Sequence, residues 1–377
     1  MADFTMNAPE PLYRRWLSLL SVLLVLATFG IVALGGAVTS FNAGMAVPDG
    51  FTTFGTWSLI APLRTWAYEA GTFLEHSHRL KGYVVGFLAL GFFFGVVLSG
   101  ARRRLGLVAL AAVILVFVIA QAVLGIVRVD HNSLLIAGIH GVTGQVFLGL
   151  TIVAAAAVGR YWIERRRNAA HERPARGPAT ARWLTRGLIA ALLLQLTLGS
   201  AVRHSHSALA IPDWPLHYGQ VMPPMSPAEL TTAVAAYPAE KLPANYGHLS
   251  VGGVYEPWQV HLHFTHRLMG YAVFVLGLAV AGLVIRRYQS GGRDAVWAPA
   301  AAVALLMVVQ VLLGVMTVLS GEGAAYATLH QTCGATLLAA AVWLAVRVTL
   351  TPAEPVSTLR VARDPAAASP PSGAQPA

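Results

Sequence analysis

The chain has 377 residues, 56% of them hydrophobic and only 11% charged, with a formal net charge of +10. An average soluble domain carries about 25% charged residues, so this composition excludes a water-soluble globular protein. Apolar stretches of about 20 residues recur, each long enough to cross a hydrocarbon layer of about 30 Å as a helix.

The hydropathy pattern predicts eight spans, near residues 16–38, 80–99, 105–127, 136–158, 183–202, 267–285, 297–319 and 326–348. The first follows Arg14-Arg15 and resembles a secretory signal. A related sequence returns at the fifth span, where no signal could act, so the first span is read as part of the fold. Most of the 26 lysines and arginines fall on one side of this topology: Arg14, Arg15, Arg102 to Arg104, the cluster from Arg160 to Arg186, Arg286, Arg287, Arg293, Arg347, Arg360 and Arg363. Positive residues stay inside, which predicts a multi-pass protein of the inner (cytoplasmic) membrane with both termini in the cytoplasm. The net charge then reads as topology and attraction to anionic lipid, not nucleic-acid binding. Cys333 is the single cysteine, so no intrachain disulfide forms.

The chain matches itself. GGAVTSFNAGMAVPD at 35–49 aligns with GSAVRHSHSALAIPD at 199–213, HRLKGY at 78–83 with HRLMGY at 266–271, QAVLG at 121–125 with QVLLG at 310–314, and HGVTG at 140–144 with HQTCG at 330–334. The order is preserved, as in an internal duplication. Both copies enter the membrane in the same sense, which makes a parallel repeat. The expected fold is an all-α integral membrane protein of eight transmembrane helices, arranged as two tandem four-helix bundles. The bundles cover residues 1–163 and 183–350, with a basic cytoplasmic linker at 164–182 and a Pro- and Ala-rich tail at 351–377 expected to be disordered. Outer loops join the first and second spans of each copy, and each starts at a Pro-Asp element that caps the span or carries function.

Four of the 13 histidines recur as two pairs, His78 with His140 and His266 with His330. In each copy the first opens the second span and the second opens the fourth, so both imidazoles lie at similar depth toward the outer face. Paired imidazoles in a membrane bundle suit haem iron, and ionisable groups at membrane depth usually carry function. Zinc fits less well, because it takes three or four ligands and no thiolate or carboxylate accompanies the second pair. Arg79 and Arg267 follow the first histidines and either bind haem propionates or snorkel to lipid headgroups. Gln121 and Gln310 read as interhelical hydrogen-bonding residues.

The copies differ at one position beside the histidines. Glu75 lies three residues before His78, on the same helical face, whereas His263 stands three before His266. A carboxylate there suits proton transfer, unless it only pairs with Arg79. His76 lies off this face and points to the loop; His204, His206, His261 and His263 are kept as local proton or metal contacts.

Together, E-x-x-H-R at Glu75, His78 and Arg79, the second H-R at His266 and Arg267, the later His140 and His330, and P-D-W-P at Pro212 to Pro215 resemble the haem A synthase family over roughly residues 16–348. The resemblance implies oxidation of the C8 methyl of haem O to a formyl group by successive hydroxylations, giving haem A for terminal oxidases. It implies that His78 and His140 hold the substrate haem beside an essential Glu75, and that His266 and His330 ligate an electron-carrying haem b. Haem O, the haem O synthase that supplies it and an electron donor are the implied partners, and the oligomeric state is left open. Many members of that family carry a cysteine pair in the first outer loop. Here that loop has none and reads VPDG at 47–50, which rules out a thiol redox step there, and the second outer loop is longer than the family pattern. A di-haem membrane cytochrome that only transfers electrons, and a haem-handling assembly protein without turnover, are the rival readings.

Overall fold

The computed structural model describes residues 14–99, 104–169, 178–243, 245–247, 255–289 and 293–351. The tail, apart from Thr351, and residues 170–177 of the linker lie outside the described residues.

The protein is a multi-pass membrane protein: eight described helices are long and apolar enough to cross a bilayer. They are α1 (Arg15–Ser40), α2 (Ala70–Leu98), α3 (Leu105–Asp130), α4 (Leu134–Val158), α6 (Ala179–His204), α8 (Pro257–Arg287), α9 (Arg293–Leu319) and α10 (Ala324–Leu350). Two shorter α-helices are also among the described residues, α5 (Arg160–Ala169) at the start of the linker and α7 (Pro227–Ala236) in the second outer loop.

Helices α2 and α8 begin about ten residues before the predicted spans. Apolarity stops at the ionisable residues, but the hydrogen-bonded helix does not. Glu256 and Gln259 form a reciprocal capping box with Pro257 at the first helical position, and this starts α8 well outside the apolar run. His78 and His266 therefore sit in the third turn of their helices, not at the opening, and their neighbours one turn earlier are helical too.

Helices α1 and α6 end alike. Asn42 (φ 53) and His206 (φ 55) take the left-handed conformation, and the following N–H of Ala43 or Ser207 returns to the Val38 or Val202 carbonyl at 2.8 and 2.9 Å. This closes orphan carbonyls that the interface would otherwise leave open.

Helices α1 to α4 pack in a ring, as do α6, α8, α9 and α10. Between the rings α1 meets α10, α4 meets α6, and α4 meets α10. Among the described residues polar bonds between the halves include those from Gln331 Nε2 to the Val32 carbonyl at 3.4 Å, from Ser200 Oγ to the Gly138 carbonyl at 3.2 Å and between the Tyr161 and Thr351 hydroxyls at 2.7 Å. With few apolar gains to be had between helices in lipid, close packing and such bonds hold helices together. Gly36 permits the first one, since a Cβ there would overlap Gln331.

Candidate functional site

A cavity of about 870 Å³ runs between the rings, and His78, His140, His266 and His330 all line it. Its walls come largely from matching positions of the two copies: Gly35 and Gly199, Glu75 and His263, Arg79 and Arg267, Gln121 and Gln310, Gly125 and Gly314.

Each histidine ring lies against a glycine of the neighbouring helix. A Cβ added to Gly35 would lie 3.0 Å from His78 Cε1, one on Gly199 3.1 Å from His266 Cε1, one on Gly314 3.0 Å from His330 Cε1, and one on Gly125 3.5 Å from His140 Cε1. Four glycines thus lie against four imidazoles, and at Gly35, Gly199 and Gly314 a side chain would press on the ring. The His78 and His140 rings stand 6.4 Å apart at 74°. A metal between two imidazole nitrogens, each about 2 Å from it, separates the ring centroids by roughly 6 Å. Both rings have a buried Nδ1 without a hydrogen-bond partner; the carbonyls of Ile31 and Gln121 lie near them, outside hydrogen-bond geometry. The donor set and the glycine cradle fit a haem. Among the described residues no three His, Cys, Asp or Glu side chains converge as a metal-ion site.

The second pair is held more firmly. His330 Nδ1 lies 3.1 Å from the Gln310 carbonyl, so its N–H faces that oxygen and Nε2 keeps its lone pair. The Gln195 amide nitrogen lies 3.1 Å from His266 Nδ1 and 3.0 Å from the His266 carbonyl. Residue Ile31 takes the place of Gln195 in the first copy and offers no hydrogen bond.

Above the rings, the outer loops seat on the residue three before each first histidine. Glu75 is 4% exposed; its Oε2 accepts the Val47 N–H at 2.9 Å and its Oε1 pairs with Arg79 Nη2 at 2.7 Å. Arg79 also donates to the Thr52 and Val47 carbonyls at 2.6 and 3.2 Å. The ion pair expected as one alternative is present, but it is buried and structural to the loop, unlike an exposed pair worth a few tenths of a kcal/mol. In the second copy Ile211 N lies 3.3 Å from His263 Nδ1, and Arg267 Nε lies 3.2 Å from His263 Nε2. Arg267 donates further to the Ile211 and Leu216 carbonyls. A carboxylate accepts from both donors at once, whereas a neutral imidazole accepts at one nitrogen only. Part of each guanidinium is therefore spent on the loop, and both still line the cavity.

The Pro-Asp elements close two matching turns. Asp49 accepts from the Gly55 N–H at 2.8 Å and the Thr52 hydroxyl at 2.9 Å; Asp213 accepts from the Tyr218 and Gly219 N–H groups, both at 2.7 Å. Phe54-Gly55 and Tyr218-Gly219 all have positive φ, which makes tight two-residue hairpin loops. The first joins β1 (Thr52–Thr53) to β2 (Thr56–Trp57). Trp57 Nε1 then bonds Tyr83 at 3.0 Å, and Trp214 Nε1 bonds Tyr271 at 3.1 Å. Sequence reading missed this pairing because the two tryptophans fall at different offsets, although the Phe-Gly and Tyr-Gly dipeptides keep the 164-residue register.

His76 does face the loop. It is 1% exposed, lies 3.0 Å from the Thr53 hydroxyl and stacks on Trp66 at 4.2 Å between centroids. His261 meets the Met225 carbonyl at 3.1 Å, and His204 lines the cavity. The extra length of the second loop builds its own small core around Ile211, Tyr218, Leu230 and Tyr255. There burial pushes the phenols of Tyr218 and Tyr255 up. Gln121 bonds Thr143 across α3 and α4 at 2.6 Å. Arg128, which sequence reading passed over, lines the cavity and donates to the Gly44 carbonyl.

Residues 14–342 match the family model COX15-CtaA, described as cytochrome oxidase assembly protein. Similar proteins include the heme A synthase of Methylobacterium sp. (strain 4-46), 29% identical over 349 residues, which cover 84% of this chain and 86% of that one. The heme A synthase of Rhodopseudomonas palustris (strain HaA2) is 26% identical over 372 residues, 89% and 90% of the two chains. That of Caulobacter sp. (strain K31) is 27% identical over 364 residues, 88% and 95% of the two. The glycine-cradled histidines, their loop seats, the first seven spans and most of the eighth fall within the matched stretch, and the chain belongs to the COX15-CtaA family of cytochrome oxidase assembly proteins.

Proposed function

We propose that the protein is a haem A synthase, which oxidises the C8 methyl of haem O to a formyl group by successive hydroxylations and so makes haem A for terminal oxidases. The observation that carries this reading is the exchange of Glu75 for His263 at otherwise matching loop seats, each beside a histidine pair on one shared cavity. Relatives named heme A synthase that match over 84% to 89% of the chain support it.

On this reading residues 1–163 are the catalytic unit, and His78 and His140 hold the substrate haem. Residues 183–350 hold a resident haem b on His266 and His330, joined through the linker at 164–182, with 351–377 as a cytoplasmic tail. The resident haem, when bound, supplies an electron relay. Each hydroxylation requires proton movement at the reacting methyl, and Glu75 is the group placed to exchange protons there as acid and base. Glu75 lines the cavity and its oxygens are fixed by Val47 and Arg79, so the group is positioned before substrate arrives. General-base help of this kind is worth roughly 10²–10⁴-fold in rate. The donors that Arg79 and Arg267 have left over bind haem propionates. Buried walls keep water from the reacting methyl. The chain lies in the inner membrane with both termini cytoplasmic, and its ligand-bearing helix ends face outward beneath the loops. Haem O comes from the synthase that makes it, and an electron donor outside this chain serves the resident haem.

The purified protein in lipid discs, given haem O and a reductant in air, is expected to yield hydroxylated haem O and then haem A by mass analysis. A preparation with an intact haem b spectrum and no formyl product would sink the enzyme reading and leave a cytochrome.

A further inference from the structure

The cavity is not equally deep in its two halves. In the first copy it continues inward past the histidines, along Phe87, Leu90, Leu115 and Ile119 of α2 and α3; their counterparts Val275, Leu278, Ala304 and Val308 do not line it. Two exchanges account for the difference. Gly86 of α2 lines the cavity, and a Cβ added there would meet nothing within 4 Å; its counterpart is Phe274. Val118 of α3 is matched by Met307, which is 2% exposed and packs so tightly on Gly277 that a Cβ there would overlap its thioether. Small residues leave a gap in the first copy, and large ones fill the same place in the second.

The gap also leads somewhere. Phe87 is 62% and Ile119 57% exposed, so these residues line the cavity and face outward at once. The space opens sideways between α2 and α3, at a depth where the surroundings are hydrocarbon. An apolar chain running from a porphyrin in the first site would be buried at its root and would leave toward lipid, without desolvating any polar group.

We propose that the gap between α2 and α3, walled by Gly86 and Val118, holds the long prenyl side chain of the substrate porphyrin, and that Phe274 and Met307 close the second site to any haem with such a chain. This rests on the reading of haem O as substrate, since haem O carries a hydroxyethylfarnesyl chain where haem B has a vinyl group. The gap is then a selector: the first site takes tailed haem, the second takes only tail-less haem, and neither is poisoned by the other's ligand.

The test uses the full-length protein with its second site loaded, titrated with haem O or with haem B and followed by difference spectra. Wild type is expected to bind haem O more tightly than haem B in the first site. Gly86→Phe and Val118→Met should each weaken haem O at least about 10-fold and leave haem B unchanged, with the resident haem reporting an intact fold. The reciprocal Met307→Val, combined with Phe274→Gly, should let haem O copurify in the second site. Equal losses for both haems, or no loss for haem O, would overturn the proposal even if wild type makes haem A. Conversely, tail discrimination in a protein that makes no formyl haem would sustain the gap and defeat the synthase reading.

Discussion

The first and last four spans present their histidines on matching helices, each ring against a glycine, yet they hold those rings differently. In the last four, Gln195 donates to His266 and the Gln310 carbonyl faces His330 Nδ1; in the first four Ile31 stands in place of Gln195, and the Ile31 and Gln121 carbonyls approach His78 and His140 without meeting the same geometry. A bond such as that from His330 Nδ1–H to the Gln310 carbonyl fixes the tautomer that leaves Nε2 free and commonly raises affinity 10–100-fold, while the Gln195 amide, as a donor, holds the His266 ring in place. The presence of such bonds on one side suits a permanent group, and their absence on the other suits one that must leave after each turnover. The same division shows above the rings, where a carboxylate answers an imidazole, and below them, where a gap answers a filled core. A site built to keep its ligand spends polar and apolar contacts on it; a site built to transform its ligand gives some of them up.

The comparison breaks most sharply at Glu75. Glu75→Gln keeps an oxygen for the Val47 N–H, so the loop should stay seated while conversion of haem O falls by roughly 10²–10⁴-fold; unchanged turnover would remove the carboxylate from the chemistry. Resident haem content, read from the reduced spectrum, should stay as in wild type. Next come the glycines. Gly314→Val places bulk against His330 and should cost the resident haem about 100-fold in affinity, in line with overpacking penalties of about 1–3 kcal/mol. Gly125→Ala, at an ordinary contact distance of 3.5 Å, should be tolerated. If both variants bind haem normally, the cradle has no role.

Gln195→Leu copies the apolar first half into the second. Haem b dissociation should rise about 10-fold, as measured by transfer to an apo-globin acceptor, and no change would mean that the amide does not orient His266. The smallest expected effect belongs to Asp49. The Gly55 N–H and the Thr52 hydroxyl hold its carboxyl below the usual value of 3.8. A depressed folded pKa gives stability that is present above the unfolded value and lost as pH falls through the folded one. Exchange protection of the Gly55 amide should therefore hold from neutrality down to about pH 4 and weaken below it, and Asp49→Asn should remove that acid dependence.

The spans were legible in the sequence because a bilayer demands long apolar runs, and the matched segments because they recur in the same order. Helix starts were not. Apolarity marks where lipid begins, whereas α2 and α8 begin about ten residues earlier, α8 at a capping box, and this moved His78 and His266 from the helix mouth into the third turn. Glu75 could be singled out as a difference, but its two hydrogen bonds depend on where Val47 comes back over the membrane surface. Gln195 stayed invisible for a similar reason: its counterpart is Ile31, and a polar residue in a span reads as interhelical glue until its partner is known. His76 attracted attention as an extra imidazole and proved to be a pin between the loop and Trp66.

Across the seam, α1 meets α10, α4 meets α6, and α4 meets α10. Replacing every helix by its sequence counterpart returns the same set of meetings, the signature of a two-fold, isologous interface. Two separate copies of one four-span chain would dock in this way as well, but a homodimer must have identical sites, and any change that sharpened one would be imposed on the other. Fusion into a single polypeptide lifts that constraint. Glu75 can stand on one side and His263 on the other, Gly86 on one and Phe274 on the other, so that the covalent join lets the two halves of a symmetric scaffold differ.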